Sequence, residues 1–144
     1  AIALLEEKQT YFDQNAAVRV AIGHLYRMKG EPAKAAPYFE QASLLAPDNE
    51  KLVEELAMTW LAAGQNEKAV TALAKLVATH SDRTDLQRAL ATAYTRTGRT
   101  DLARETYLAV ARSPQGDASD WVKLGELALR EGDLPAALNA ATRA

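Results

Sequence analysis

The residues able to do chemistry are few and far apart. His24 and His80 are the only histidines in the 144 residues, and there is no cysteine. A metal or catalytic imidazole needs partners at ligand or triad spacing, and none stands near either histidine. Glu6–Glu7 and Glu54–Glu55 are acidic pairs. Adjacent residues of a helix point about 100° apart, so neither pair makes a two-carboxylate site. Phosphate-cradling glycine loops, the nucleophile elbow and H-E-x-x-H are absent from the sequence. The missing cysteines exclude disulfides and thiolate-bound metals. No catalytic residue, cofactor or metal is expected, and the chain reads as a non-enzyme. What remains is a set of arginines, Arg27, Arg88, Arg96 and Arg130, whose planar forks suit carboxylates.

Those arginines sit on a periodic sequence. Gly30, Gly64, Gly98 and Gly132 are 34 residues apart each time, and Ala35, Ala69, Ala103 and Ala137 follow each by five. Aligned on them, the chain divides into repeats 16–49, 50–83 and 84–117, and a partial repeat 118–144. A small residue recurs as Gly23, Ala57, Ala91 and Gly125, with Tyr26, Trp60, Tyr94 and Ala128 three later. Four residues after each alanine stand Phe39, Leu73, Tyr107 and Ala141. Apolar positions at i, i+3 and i+4 mark one face of a helix, so each repeat is two helices of roughly 13–15 residues. The glycine between them supplies the left-handed turn. Pro32 and Pro135 suit the first turn of the helix that follows. Thr84 with Gln87 reads as a capping box opening the first helix of the third repeat. His24 falls on a first helix and His80 in a loop.

The pattern resembles the tetratricopeptide repeat family, whose motif runs W-x2-L-G-x2-Y, then A-x3-F, then P. Ile22, Gly23, Tyr26, Ala35, Phe39 and Pro47 carry it in the first repeat, and Trp121, Leu124 and Gly125 in the fourth. The resemblance implies an all-α fold, a right-handed superhelix (solenoid) of antiparallel helix pairs, forming a single domain over 1–144. Residues 1–15 are the end of a preceding repeat, with 1–10 as its second helix. Trp60 stands for a tyrosine, Ala128 and Ala141 stand for aromatics, and only Pro47 holds the proline position, so the last repeat should pack least well. The phase of Ala1 and the break within the fourth repeat read as a piece of a longer array.

In this family the first helices line a concave groove that holds a partner's peptide or helix. Carried onto this chain, the groove takes His24, Arg27 and Met28 from the first repeat. It takes Glu54, Met58 and Leu61 from the second, Arg88, Thr92 and Arg96 from the third, and Glu126 and Arg130 from the fourth. Met58 and Leu61 make an apolar middle and the arginines a basic edge. The expected partner is a protein or peptide with acidic character and an apolar anchor. Val20 and His24 occupy the lysine and asparagine phases of the family's chaperone-tail clamp, so that clamp is not expected. A net charge of −2 with interspersed signs leaves no basic footprint for nucleic acid. The apolar stretches are too short for direct membrane insertion. The alternative is an architectural or oligomerisation segment of a larger multidomain protein, self-associating through uncapped ends. No targeting signal is visible, and no compartment is specified.

Overall fold

Four glycines set the helix ends. Gly30, Gly64, Gly98 and Gly132 have φ of 74°, 75°, 73° and 75°, a region that residues with a Cβ avoid. Around each, the same two hydrogen bonds close the turn. The N–H groups of Glu31, Gln65, Arg99 and Asp133 donate to the carbonyls of Tyr26, Trp60, Tyr94 and Ala128 at 2.8–2.9 Å. The glycine N–H groups donate to Arg27, Leu61, Thr95 and Leu129. This two-bond exit satisfies carbonyls that the helix end would otherwise leave unpaired.

The computed structural model describes residues 2–8 and 15–144. Ala1 and residues 9–14, part of the segment assigned to a preceding repeat, lie outside them. The helices are α1 (Ile2–Lys8), α2 (Ala16–Met28), α3 (Pro32–Leu45), α4 (Glu50–Ala62), α5 (Asn66–Thr79), α6 (Thr84–Arg96), α7 (Thr100–Ala111), α8 (Ala118–Glu131) and α9 (Leu134–Ala141). No strand occurs among the described residues. Helices α2 and α3, α6 and α7, and α8 and α9 flank Gly30, Gly98 and Gly132.

Helix starts follow capping chemistry. Asn15, Asn49 and Asp133 accept from the backbone N–H groups of Ala17, Leu52 and Ala136. Pro32 and Pro135 sit in the first turns of α3 and α9. The box expected at Thr84 and Gln87 does not form. Thr84 is already helical behind Arg83, which makes no side-chain cap, and Gln87 donates instead to the Ser81 carbonyl. The capping box is found at α8, where Asp117 and Asp120 each accept from the other's backbone.

The chain forms two compact halves, Ala1–Ala72 and Leu73–Ala144. In the first, Ala35, Phe39 and Ala42 of α3 pack with Leu52 and Leu56 of α4. In the second, Ala91, Ala103, Tyr107, Leu124, Leu127 and Ala140 form the core. Ala35, Ala69 and Ala103 are fully buried, as the repeat alignment requires. The small phase beside them has a steric cause. A Cβ on Gly23 would lie 2.9 Å from the Phe39 ring, inside the contact distance of two carbons.

Candidate functional site

The residues that the repeat phase assigns to a groove fall in two sets, one in each half. In the N-terminal half, Phe39 of α3 meets two of the first set, His24 and Arg27. His24 meets its ring edge-on at 5.3 Å between centroids, and the Arg27 guanidinium lies 5.9 Å from the same ring. His24 Nε2 is also 3.0 Å from Glu55 Oε2, a carboxylate on α4. Met28 is 84% exposed and Met58 41%, and Glu54 is half-buried on α4. Leu61 departs from expectation: it is only 8% exposed. It stands one helical turn beyond the fully buried Ala57 and shares its inward face. Leu61 is a core residue and offers no anchor point.

In the C-terminal half, Arg88 is also not what its phase suggested. Its Nε and Nη2 donate to the two oxygens of Asp120 at 2.8 Å each, and Nη2 donates to the Gln115 carbonyl at 2.8 Å. Asp117 lies 3.4 Å away. Asp120 is 1% exposed and also accepts the Asp117 backbone N–H at 3.0 Å. It occupies the phase of Leu52 and Leu86, both buried. A carboxylate in a core position needs a cation and hydrogen bonds, and Arg88 supplies both. The hydrogen-bonded Asp120 raises Arg88 above the ordinary arginine value. Arg88 is therefore a structural residue with its fork already occupied. The sequence reading missed this; the signal that could have found it is Asp120, a charged residue at an apolar phase.

The other residues assigned by phase in this half, Thr92, Arg96, Glu126 and Arg130, line one cleft. Thr92, Thr95 and Arg96 of α6, Tyr107 of α7, and Lys123, Glu126, Leu127 and Arg130 of α8 line a cleft of about 280 Å³. Thr92 and Thr95 donate to the helix carbonyls of Arg88 and Ala91 at 2.9 Å, which fixes their side chains. Thr92 Oγ1 is 2.9 Å from the Tyr107 hydroxyl. Lys123 pairs with Glu126 at 2.9 Å on the same helix. Arg96 and Arg130 are exposed at the rim. Val122 and Leu129, four residues before and three after Glu126 on α8, are exposed. The cleft thus joins hydroxyl groups to three cations and one carboxylate, Glu126. Among the described residues, no group of three or more histidines and carboxylates is placed to hold a metal. No helix there is long and apolar enough to cross a membrane.

Residues 1–123 match the family model for the tetratricopeptide repeat. The chain is 30% identical over 118 residues to the Vi polysaccharide export protein VexE of Salmonella typhi, an alignment covering 79% of this chain. The chain spans 18% of that protein's length. Among solved structures, MamA MSR-1 C2 superposes with a TM-score of 0.86 at 20% identity, covering 99% of this chain and 82% of that one. MamA 41-end from Desulfovibrio magneticus RS-1 gives 0.85 at 17%, covering 99% and 80%. At such identities the likeness is one of fold.

Proposed function

Because the chain belongs to the tetratricopeptide repeat family, we propose that its role as a protein–protein interaction scaffold is exercised through the α6–α8 cleft. The scaffold role comes with the family. The finer reading is that a short partner segment lies across the cleft, with a carboxylate at Arg96 and Arg130 and an apolar side chain against Val122 and Leu129. One observation supports it: the cleft brings together cations from two successive first helices, and Val122 and Leu129 are exposed one turn before and after its Glu126. Val122 and Leu129 take the anchoring part that Leu61, being buried, leaves unfilled. An exposed ion pair contributes about 0–1 kcal/mol, whereas burying an aliphatic side chain contributes about 1.5–3 kcal/mol. The apolar contacts therefore supply affinity and the arginines selectivity.

Selection of a displayed random-peptide library against the parent protein tests this. The recovered peptides should carry carboxylates near an apolar residue. They should lose at least about tenfold in affinity for an Arg96→Glu, Arg130→Glu variant whose helical content is unchanged. Equal binding to parent and variant would remove the cleft from consideration.

A second reading, association of two copies through α9, is favoured by one feature. Leu134 and Leu138 are exposed on that helix, although Ala36 and Val70, at the phase of Leu138, are buried. Sedimentation that depends on concentration in the parent and not in Leu138→Glu would support it.

A further inference from the structure

A second pattern lies among the second helices of the repeats. In the N-terminal half, a carboxylate closes the space between consecutive second helices. Glu6 of α1 accepts hydrogen bonds from the hydroxyls of Tyr26 at 2.6 Å and Tyr38 at 2.8 Å. Those two bonds, aided by Lys29 and Lys34, hold the Glu6 carboxyl below its ordinary value. Burial first, and then Glu6, pushes the Tyr38 hydroxyl up to about 12. Glu40 of α3 stands 34 residues further on. It accepts from the Trp60 indole at 2.8 Å and the Lys68 ammonium at 2.7 Å. Burial works against the Glu40 charge, but the Lys68 and Trp60 bonds outweigh it and hold its carboxyl low. Each time, a glutamate meets an aromatic of the next first helix and a donor from the next second helix.

The C-terminal half builds the same space without those groups. The phases of Glu40, Trp60 and Lys68 are held by Leu108, Ala128 and Ala136, and that of Tyr38 by Ala140. Alanines in place of a tryptophan, a lysine and a tyrosine leave room. A cleft of about 480 Å³ opens there among α7, α8 and α9. Leu108, Trp121 and Ala128 form its floor, and Arg104, Arg112 and Arg143 stand among its walls with a single acid, Asp133. Arg104 is engaged by Asp101 and Glu131 at 3.0 and 2.9 Å. Arg143 lies 5.2 Å from the Trp121 ring and donates to Asn139. Arg112 is exposed. The α8 residues that line this cleft lie roughly 130° around the helix from Lys123, Leu127 and Arg130, at about 100° per residue. It is a different surface from the α6–α8 cleft.

We propose that the α7–α9 cleft binds an acidic segment of a partner protein, which inserts one aromatic side chain over Ala128 and sets its carboxylates against Arg112 and Arg143. The argument has three parts. Ala128 stands at the phase where the three other repeats carry an aromatic, Tyr26, Trp60 and Tyr94. The ring would meet Trp121 and the Arg143 guanidinium, contacts that favour an aromatic over an aliphatic side chain. The cationic walls match the carboxylate that fills the equivalent space elsewhere in this molecule, so the segment supplies from outside what Glu6 and Glu40 supply from within.

The probe is a short fluorescein-labelled peptide with one central phenylalanine flanked by glutamates, followed by fluorescence anisotropy. The parent protein should bind it, and replacing the phenylalanine by alanine should cost at least about tenfold. Ala128→Tyr restores the aromatic of the other repeats and closes the cleft. It should lower affinity by at least about tenfold while leaving the melting temperature unchanged or higher. Arg112→Glu with Arg143→Glu should lose binding similarly. Arg96→Glu with Arg130→Glu, in the other cleft, should stay within about twofold of the parent, which separates this site from the one proposed above. Should Ala128→Tyr not fold, Ala136→Lys obstructs the same space and carries the same expectation. The proposal is overturned if the parent does not bind the peptide at millimolar protein, or if the folded obstructing variant binds as the parent does. Binding of an oligothymidylate in the peptide's place would also overturn it.

Discussion

Replacing Asp120 by leucine inserts the residue that two other repeats carry at that phase, yet it should destabilise the C-terminal half. The change removes the two Arg88 hydrogen bonds of 2.8 Å and the 3.0 Å bond from the Asp117 N–H. It leaves a guanidinium whose side chain is only 31% exposed without its main counter-charge. Breaking one partner of a buried ion pair costs about 3–5 kcal/mol. Arg88 keeps the Gln115 carbonyl and the nearby Asp117, so the lower end, about 3 kcal/mol, is expected. Adding Arg88→Val, the residue found at that phase as Val20, makes the pair apolar. Exchanging a whole buried pair for packed apolar residues is often neutral or better. The double variant loses half of the α8 capping box, worth about 1 kcal/mol, and should still exceed Asp120→Leu by about 2 kcal/mol. Urea titrations followed by far-UV circular dichroism and by tryptophan fluorescence give the two midpoints, with the slope m as a check on compactness. An Asp120→Leu midpoint equal to the parent's would refute the reasoning, as would a double variant equal to the sum of the singles. The result also bears on function, because Arg88→Glu would place two acids together in the core and weaken folding rather than report on a partner.

Gly64→Val should cost about 1 kcal/mol or more in urea denaturation. A Cβ there meets nothing within 4 Å and φ is +75°, so the cost is one of backbone conformation, and Gly64→Asn should recover much of it. Gly23→Ala should cost about 1–3 kcal/mol by overpacking against the Phe39 ring at 2.9 Å. Adding Phe39→Leu, which recreates the Ala57 and Leu73 combination of the second repeat, should restore part of the loss in thermal melts. Glu6 has a folded pKa below its ordinary 4.5. Its contribution is therefore complete above that value and is lost as pH falls through the lower folded value. The denaturation midpoint of the N-terminal half should fall in that acid window, and the fall should shrink in Tyr26→Phe with Tyr38→Phe.

The repeats were legible because their determinants are local. A glycine at φ near 75° needs only its own backbone and the six residues whose bonds close the turn, and the buried alanines follow from a helical period of 3.6. Phase also identified the first-helix faces, which is why Thr92, Arg96, Glu126 and Arg130 share one cleft. Phase could not say which members of a face are spent on the molecule itself. Arg88 is one such member: only the tertiary structure brings the Asp120 carboxylate to it, across 32 residues of chain. Leu61 and Met58 are neighbours on α4, and the packing around each decides that one is buried and the other open. The substitution of Ala128 for the aromatic of the other repeats was plain in the sequence as weaker packing. That it opens a cleft of about 480 Å³ walled by arginines depends on α7, α8 and α9 together, since an empty volume belongs to the residues around it and to no one of them.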